Sequence, residues 1–197
     1  MCLVAFINRL GIEASSGYGV ANKIVAFVML VPSSLMQSMS SFVSQNVGAK
    51  NERRATKSML TGMAIGALIG IFVFLLIFFK GDFVSSIFTD NENVIRRSYE
   101  YLRGFAIEAV VTSVLFSFIG YFNGHGATML VMIQGLAQSF LVRLPMSYIM
   151  SVQPDASLSM IGLAAPTATV FGIVLNLVFF IFYQKKLNIK GNENKEN

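Results

Sequence analysis

Long stretches without a charged residue constrain this chain more than any other feature. No charge lies between Lys23 and Lys50, between Lys57 and Lys80, or between Asp155 and Lys185. Between Arg103 and Arg143 the only acid is Glu108, and Gly124-His125-Gly126 divides that run in two. A helix crosses the hydrocarbon core of a bilayer with about 20 apolar residues, and each stretch reaches that length. Backbone polar groups cannot go unpaired in lipid, so helix is the form these runs take. The sequence therefore predicts an all-α, polytopic transmembrane bundle. Its five full spans fall at about 18–48, 56–79, 96–122, 127–151 and 158–184. Residues 1–11 read as the end of an earlier span, residues 1–184 as one bundle, and residues 185–197 as a polar, disordered cytoplasmic tail.

Composition excludes the soluble alternative. Charged residues make up only 13% of the chain, and 18 of its 197 residues are Phe. A single core could not hide that much apolar surface, whereas lipid accepts it as an exterior. The net charge of +5 sits mainly between the apolar runs, so it reads as loop charge at a membrane surface rather than as a nucleic-acid footprint. The single Cys2 excludes an internal disulfide framework and a Cys-based zinc site. The opening segment lacks the basic start and small-residue cleavage site of a signal peptide. No HExxH, phosphate loop, GxSxG or acid cluster is present, so the expectation is neither an enzyme nor a cofactor protein.

Lys and Arg in the loops set the orientation. Lys50, Arg53, Arg54 and Lys57 follow the first full span, and Lys185, Lys186, Lys190 and Lys195 stand in the tail. Alternating spans put both groups on one side, taken as the cytoplasm. Asp82, Asp90, Glu92 and Asp155 fall on the other side, with Arg96 and Arg97 against the trend. The amphipathic segment 81–93 is expected as a short interfacial turn or helix, with Phe83, Ile87 and Phe88 toward the membrane.

Several patterns carry chemistry or packing. Gly62, Gly66 and Gly70 recur every fourth residue and form a flat stripe for helix packing. Ser34, Gln37, Ser38, Ser41 and Gln45 line one face of the first span, behind the bend expected at Pro32. In lipid such a stripe must face protein or water. It is therefore either a set of interhelical hydrogen bonds, about 0.6 kcal/mol each, or the wall of a hydrated cavity. Asn46, Thr112, Lys23 and Arg143 are further candidates for that lining, the two cations also fitting a structural or snorkelling role. Glu108, a carboxylate in an apolar run, is the candidate ion-coupling residue, the alternative being a structural ion pair. His125 reads as exposed loop polarity. Pro145 and Pro166 interrupt the last two spans, and Gln134, Gln138 and Asn176 are minor lining candidates.

These residues resemble a known family. Asn8-Arg9-Leu10-Gly11 followed by Gly17-Tyr18-Gly19-Val20-Ala21-Asn22-Lys23 is similar to the entry into the eighth helix of multidrug and toxic compound extrusion (MATE) exporters. Ser44-Gln45-Asn46-Val47-Gly48-Ala49 with Arg53-Arg54-Ala55 resembles the signature after that helix, and Ile87-Phe88-Thr89-Asp90-Asn91 an external stretch. Asn123-Gly124-His125-Gly126 stands where members carry Arg-Gly-x-Gly, and Arg143-Leu144-Pro145 matches helix eleven. The resemblance implies helices eight to twelve and the end of seven, part of one lobe of a twelve-helix transporter whose first lobe is missing here. It implies antiport, by protons or sodium, of a small organic substrate across the cell membrane. Sodium-coupled members carry acids in helices seven and ten; Glu108 lies one turn before the usual helix-ten Asp, whose place Thr112 takes. A non-transporting remnant or assembly partner, and a flippase for lipid-linked sugars, remain the alternatives.

Overall fold

The computed structural model describes residue 7, residues 12–153 and residues 158–196, with side chains to Lys185. The Asn8–Gly11 motif, the expected earlier span apart from Ile7, and Asp155 lie outside the described residues. Within them every regular element is a helix: α1 (Ile12–Gly48), α2 (Glu52–Ser86), α3 (Glu92–Phe105), α4 (Glu108–Gly124), α5 (Thr128–Ala137), a π-helical turn (Gln138–Arg143), α6 (Leu144–Val152) and α7 (Leu158–Glu196). Four continuous rods are long and apolar enough to span: α1, α2, the α5–α6 rod and Leu158–Lys185 of α7. Helices α3 and α4, bent by 47° at their junction, together are long and apolar enough for a fifth, broken span.

Local chemistry explains the breaks. Lys50 takes a positive φ of 55° to turn the chain after α1, and the Asn51 side chain then accepts the Arg54 N–H at 3.1 Å to cap α2. Asn91 caps α3 in the same way, accepting from Asn93 and Val94 at 3.0 and 3.3 Å. The π turn immediately precedes Pro145, whose missing N–H and bulky ring prevent a regular ladder at that point. Pro32 and Pro166 are instead carried inside continuous helices.

The expectation of a short turn or helix over 81–93 agrees with the chain's path. A non-helical kink at Lys80 (φ −133°, ψ 21°) sets a short helical piece over residues 81–86 apart from the long apolar part of α2, and the turn comes after Ser86. Gly81 is buried against the Tyr99 ring, which packs this piece onto α3. Phe83, Ile87 and Phe88 are exposed. One expectation about the ends is corrected: the tail is not coil, since α7 continues in helical backbone to Glu196 through a tail that holds no Pro.

Helix α4 occupies the centre, packed by α1, α2 and α7, while α3 fills the space between α1 and α7. The α5–α6 rod lies at the periphery and leans chiefly on α7. Its outer face exposes Met129, Met132, Ile133, Leu136, Phe140 and Leu141, and that of α2 exposes Leu68, Phe72, Leu75 and Phe79. In lipid that arrangement carries no solvation penalty, so close packing must hold the helices together. Glycine permits it. A Cβ on Gly104 of α3 would strike the Ser159 carbonyl of α7, and one on Gly162 of α7 would lie 2.7 Å from the Tyr101 carbonyl of α3.

The two ends of the bundle are tied by polar contacts. At one end Gln184 donates to the Tyr121 hydroxyl at 2.8 Å, and His125 meets Glu52. This gathers the α1–α2 turn, the α4–α5 turn and the end of the last span on one side, as alternating spans require. At the other end Glu13 accepts from Asn93 at 3.0 Å, and the Ser85 and Ser98 hydroxyls bond at 2.9 Å.

The expectation that His125 is exposed loop polarity is overturned. Its ring is buried against Tyr121 and Tyr183. Nδ1 lies 2.9 Å from the Tyr121 carbonyl and Nε2 2.9 Å from the Glu52 carboxylate. Both partners are acceptors, so the ring donates to both only as imidazolium. We expect His125→Ala to cost about 2–3 kcal/mol through lost packing and hydrogen bonds. Glu52→Gln, at a half-exposed partner, should cost under about 1 kcal/mol. Thermal unfolding in detergent reads the difference; equal costs would mean that the ring's packing contributes nothing.

Candidate functional site

The break between α3 and α4 places a carboxyl inside the bundle. Glu108 is the first residue of α4 and is buried. A helix N-terminus favours an acid because its first N–H groups point outward with partial positive charge. Its Oε1 accepts from the Thr169 hydroxyl of α7 at 2.8 Å. Thr169 in turn accepts from Gln138 of the π turn at 3.3 Å, and Gln138 from Gln134 of α5. One polar chain thus crosses from the central helix through α7 to the peripheral rod. Gly172, one turn past Thr169, makes room for it, since a Cβ there would meet Gln138 Oε1 at 2.6 Å and Gln134 Nε2 at 2.7 Å.

Part of this cluster has no protein partner. Thr112 lies beside the Glu108 carboxyl, yet neither its hydroxyl nor Glu108 Oε2 completes a hydrogen bond. Both amide atoms of fully buried Asn176 are likewise unpaired. Asn176 stands two helical turns beyond Thr169, about 10 Å along α7, so it belongs to the same polar column but not to the carboxyl's immediate surroundings. Unpaired polar groups deep in a bundle cost about 1–3 kcal/mol each, so a native fold that keeps four such atoms retains them against a stability cost. Among the described residues no group of three or more His, Cys, Asp or Glu side chains could hold a metal ion. The carboxyl's neighbours are neutral oxygens and amides. Arg143, on the last residue of the π turn, is itself exposed but near enough to act electrostatically on Glu108, Tyr18 and Tyr101.

The other candidates separate by face. Ser34, Gln37, Ser38, Ser41 and Gln45 are all exposed along α1. None of the five reaches another helix of the described residues; Ser34 donates to the Leu30 carbonyl one turn back, at 2.8 Å. Among the described residues, then, the stripe makes no interhelical hydrogen bond. A shallow hollow of about 290 Å³ lies over Ser34 and Ser38. Lys23 is also exposed on α1. Asn46 departs from the set: it is buried, and its side chain donates to the Phe42 carbonyl at 2.7 Å, because its position on α1 turns it inward, so it does not line the open face. Gly62, Gly66 and Gly70 are buried on α2 against Met39, Ser113 and the Ala109–Val110 backbone respectively.

Sequence reasoning missed Thr169, the residue that holds the carboxyl. The available signal was the spacing of Thr169, Gly172 and Asn176 on one helical face, a polar stripe with a gap left for facing side chains.

Comparison with known proteins follows the same lines. The family model described as MatE matches residues 1–149. The chain is 26% identical over 95 residues to the probable multidrug resistance protein YoeA of Bacillus subtilis (strain 168), covering 48% of this chain and 20% of that protein. It is 23% identical over 180 residues to the probable multidrug resistance protein NorM of Bacillus cereus (strain ATCC 10987 / NRS 248), covering 89% of this chain and 38% of that protein. It thus spans well under half the length of these curated relatives. Among solved structures, the inward-facing conformation of a multidrug resistance MATE family transporter of the MOP superfamily superposes with a TM-score of 0.76 at 15% identity, over 95% of this chain and 43% of that one.

Proposed function

The chain belongs to the MatE family of multi-pass membrane proteins, and from that premise we propose that it forms part of a secondary active exporter that expels small organic molecules in exchange for protons. The observation that carries the coupling is the Glu108 carboxyl, buried with one oxygen held by Thr169 and the other unpaired beside Thr112. Such a group can exchange a proton without dismantling its surroundings. A single carboxyl among neutral oxygens suits a proton better than a metal-like cation, which asks for several oxygen ligands at once.

The exposed polar stripe of α1 supports a second element of the reading. Ser34, Gln37, Ser38, Ser41 and Gln45 form one wall of a hydrated path, and the opposite wall comes from a second lobe. Transport thus needs that lobe, and the 197-residue chain without it moves no substrate.

Proteoliposomes carrying the chain joined to a complementary lobe, and loaded with ethidium as the organic cation, test both points. Efflux should follow an imposed pH gradient and ignore a sodium gradient. Efflux driven by sodium alone would refute proton coupling. Efflux by the 197-residue chain on its own would refute the need for a second lobe.

A further inference from the structure

Between α1 and α2, at the end of the bundle that carries Lys50 to Lys57, runs an open groove of about 460 Å³. Its walls are mainly apolar, from Leu35, Met39 and Phe42 on α1 to Ile65 on α2; Arg54 and Lys57 line its basic end, and Ser38 is the one residue it shares with the polar stripe of α1, which it borders. No acidic side chain lines it. Arg54 is held over the Phe42 ring, its guanidinium carbon 5.5 Å from the centroid, so the charge sits at the rim rather than swinging into solvent. Ser58 and Thr61 donate back to the Ala55 and Lys57 carbonyls at 2.7 and 3.0 Å, which leaves the two cations as the charged donors facing the groove.

The dimensions are those of one bilayer leaflet. From Arg54 to Ile65 the groove follows α2 for about 16 Å, against about 15 Å for half of a hydrocarbon core. Its charged end lies in the first two turns of α2, where the helix leaves the interface. An organic cation is disfavoured by the paired positive charges, and a protein helix laid in the groove would have to bring its own acids to meet them. We propose that this groove is a binding site for an anionic phospholipid, the phosphate at Arg54 and Lys57 and one acyl chain along Leu35, Met39 and Ile65. Basic pockets between spans at a membrane surface recognise headgroups by this chemistry.

The test offers the detergent-purified chain an equimolar mixture of dioleoylphosphatidylglycerol and dioleoylphosphatidylcholine and reads retained lipid by native mass spectrometry. The anionic phosphatidylglycerol should be retained preferentially. R54Q/K57Q should weaken its retention about 30-fold, the loss of two headgroup charges at the surface. I65W, which fills the deep end and leaves both charges in place, should also expel it. K50Q/R53Q, which removes two nearby cations that do not line the groove, should leave retention within about threefold of the parent, because a charge not in contact with the headgroup is screened by solvent and salt. Circular dichroism establishes that each variant is folded, and I65W decides the matter should R54Q/K57Q fail to fold. Equal retention of the two lipids overturns the proposal. So does an equal loss from K50Q/R53Q, which would mean diffuse attraction, or unchanged binding to I65W. A chain that retains neither lipid overturns it as well, and leaves the groove to a second lobe or a second copy of the chain.

Discussion

Glu108→Gln in the transporter with its second lobe is expected to remove proton-driven accumulation altogether while leaving insertion and folding intact. Gln is nearly isosteric, and its amide can satisfy the same neighbours. Its oxygen accepts from Thr169 as the carboxylate Oε1 does, and its NH₂ can donate toward the Thr112 hydroxyl, which otherwise completes no bond. It cannot take up or release a proton. One pH unit is worth about 1.4 kcal/mol, so one-for-one exchange can sustain a substrate ratio of about ten across the membrane. The variant should hold a ratio of one at every imposed gradient. The stability change has the opposite sign: a buried group that can ionise is replaced by one that stays neutral and has better-matched bonds, so the midpoint of thermal unfolding should stay level or rise by about 1 kcal/mol in equivalent stability. Loss of transport together with loss of folding would mark Glu108 as a structural anchor. Unchanged accumulation would remove it from the mechanism.

What could be read ahead of the structure follows from how far each interaction reaches along the chain. Span number and placement depend on local hydropathy, so the uncharged runs marked the four continuous rods, whereas the bent α3–α4 pair, whose first half carries Arg96, Arg97, Glu100 and Arg103, was marked only by the apolar run that follows Arg103. Helix ends were less legible. The kink at Lys80 and the packing of Gly81 against Tyr99 involve a partner 18 residues on, a contact that local sequence does not display. Residues whose role depends on partners far along the chain were legible only as candidates. Glu108 stood out because a charge in an apolar run is rare, but Thr169, 61 residues away, did not, because a Thr in a span is ordinary and Thr167 stands two residues before it. His125 was misread for the same reason. A His between two glycines looks like loop until Glu52, 73 residues earlier, closes on it.

The glycine stripe of α2 shows how one repeat can hide three different physical situations, and a graded series should separate them. Gly62→Ala is expected to be nearly neutral, because the added methyl meets only the end of the Met39 side chain, which can swing away. Gly66→Ala should cost about 1–2 kcal/mol: the methyl would come 2.9 Å from Ser113 Cβ, and a β-carbon moves only with its backbone. Gly70→Ala should cost about 3 kcal/mol, offset by no more than about 1 kcal/mol from the better helix propensity of Ala. There the methyl would sit 2.6 Å from the Ala109 carbonyl oxygen and 2.8 Å from Val110 Cα, both main-chain atoms of the first turn of α4. Relief can come only by moving that turn away from α2, and Glu108 is its first residue. The displacement should therefore also weaken the 2.8 Å bond to Thr169, so Gly70→Ala should lose transport out of proportion to the protein that remains folded. Unfolding midpoints in detergent give the order of stabilities, and efflux normalised to folded protein gives the second effect. A flat series would mean that the three glycines are interchangeable packing. A Gly70→Ala protein that is destabilised yet transports at full rate per folded molecule would uncouple the helix contact from the carboxyl beside it.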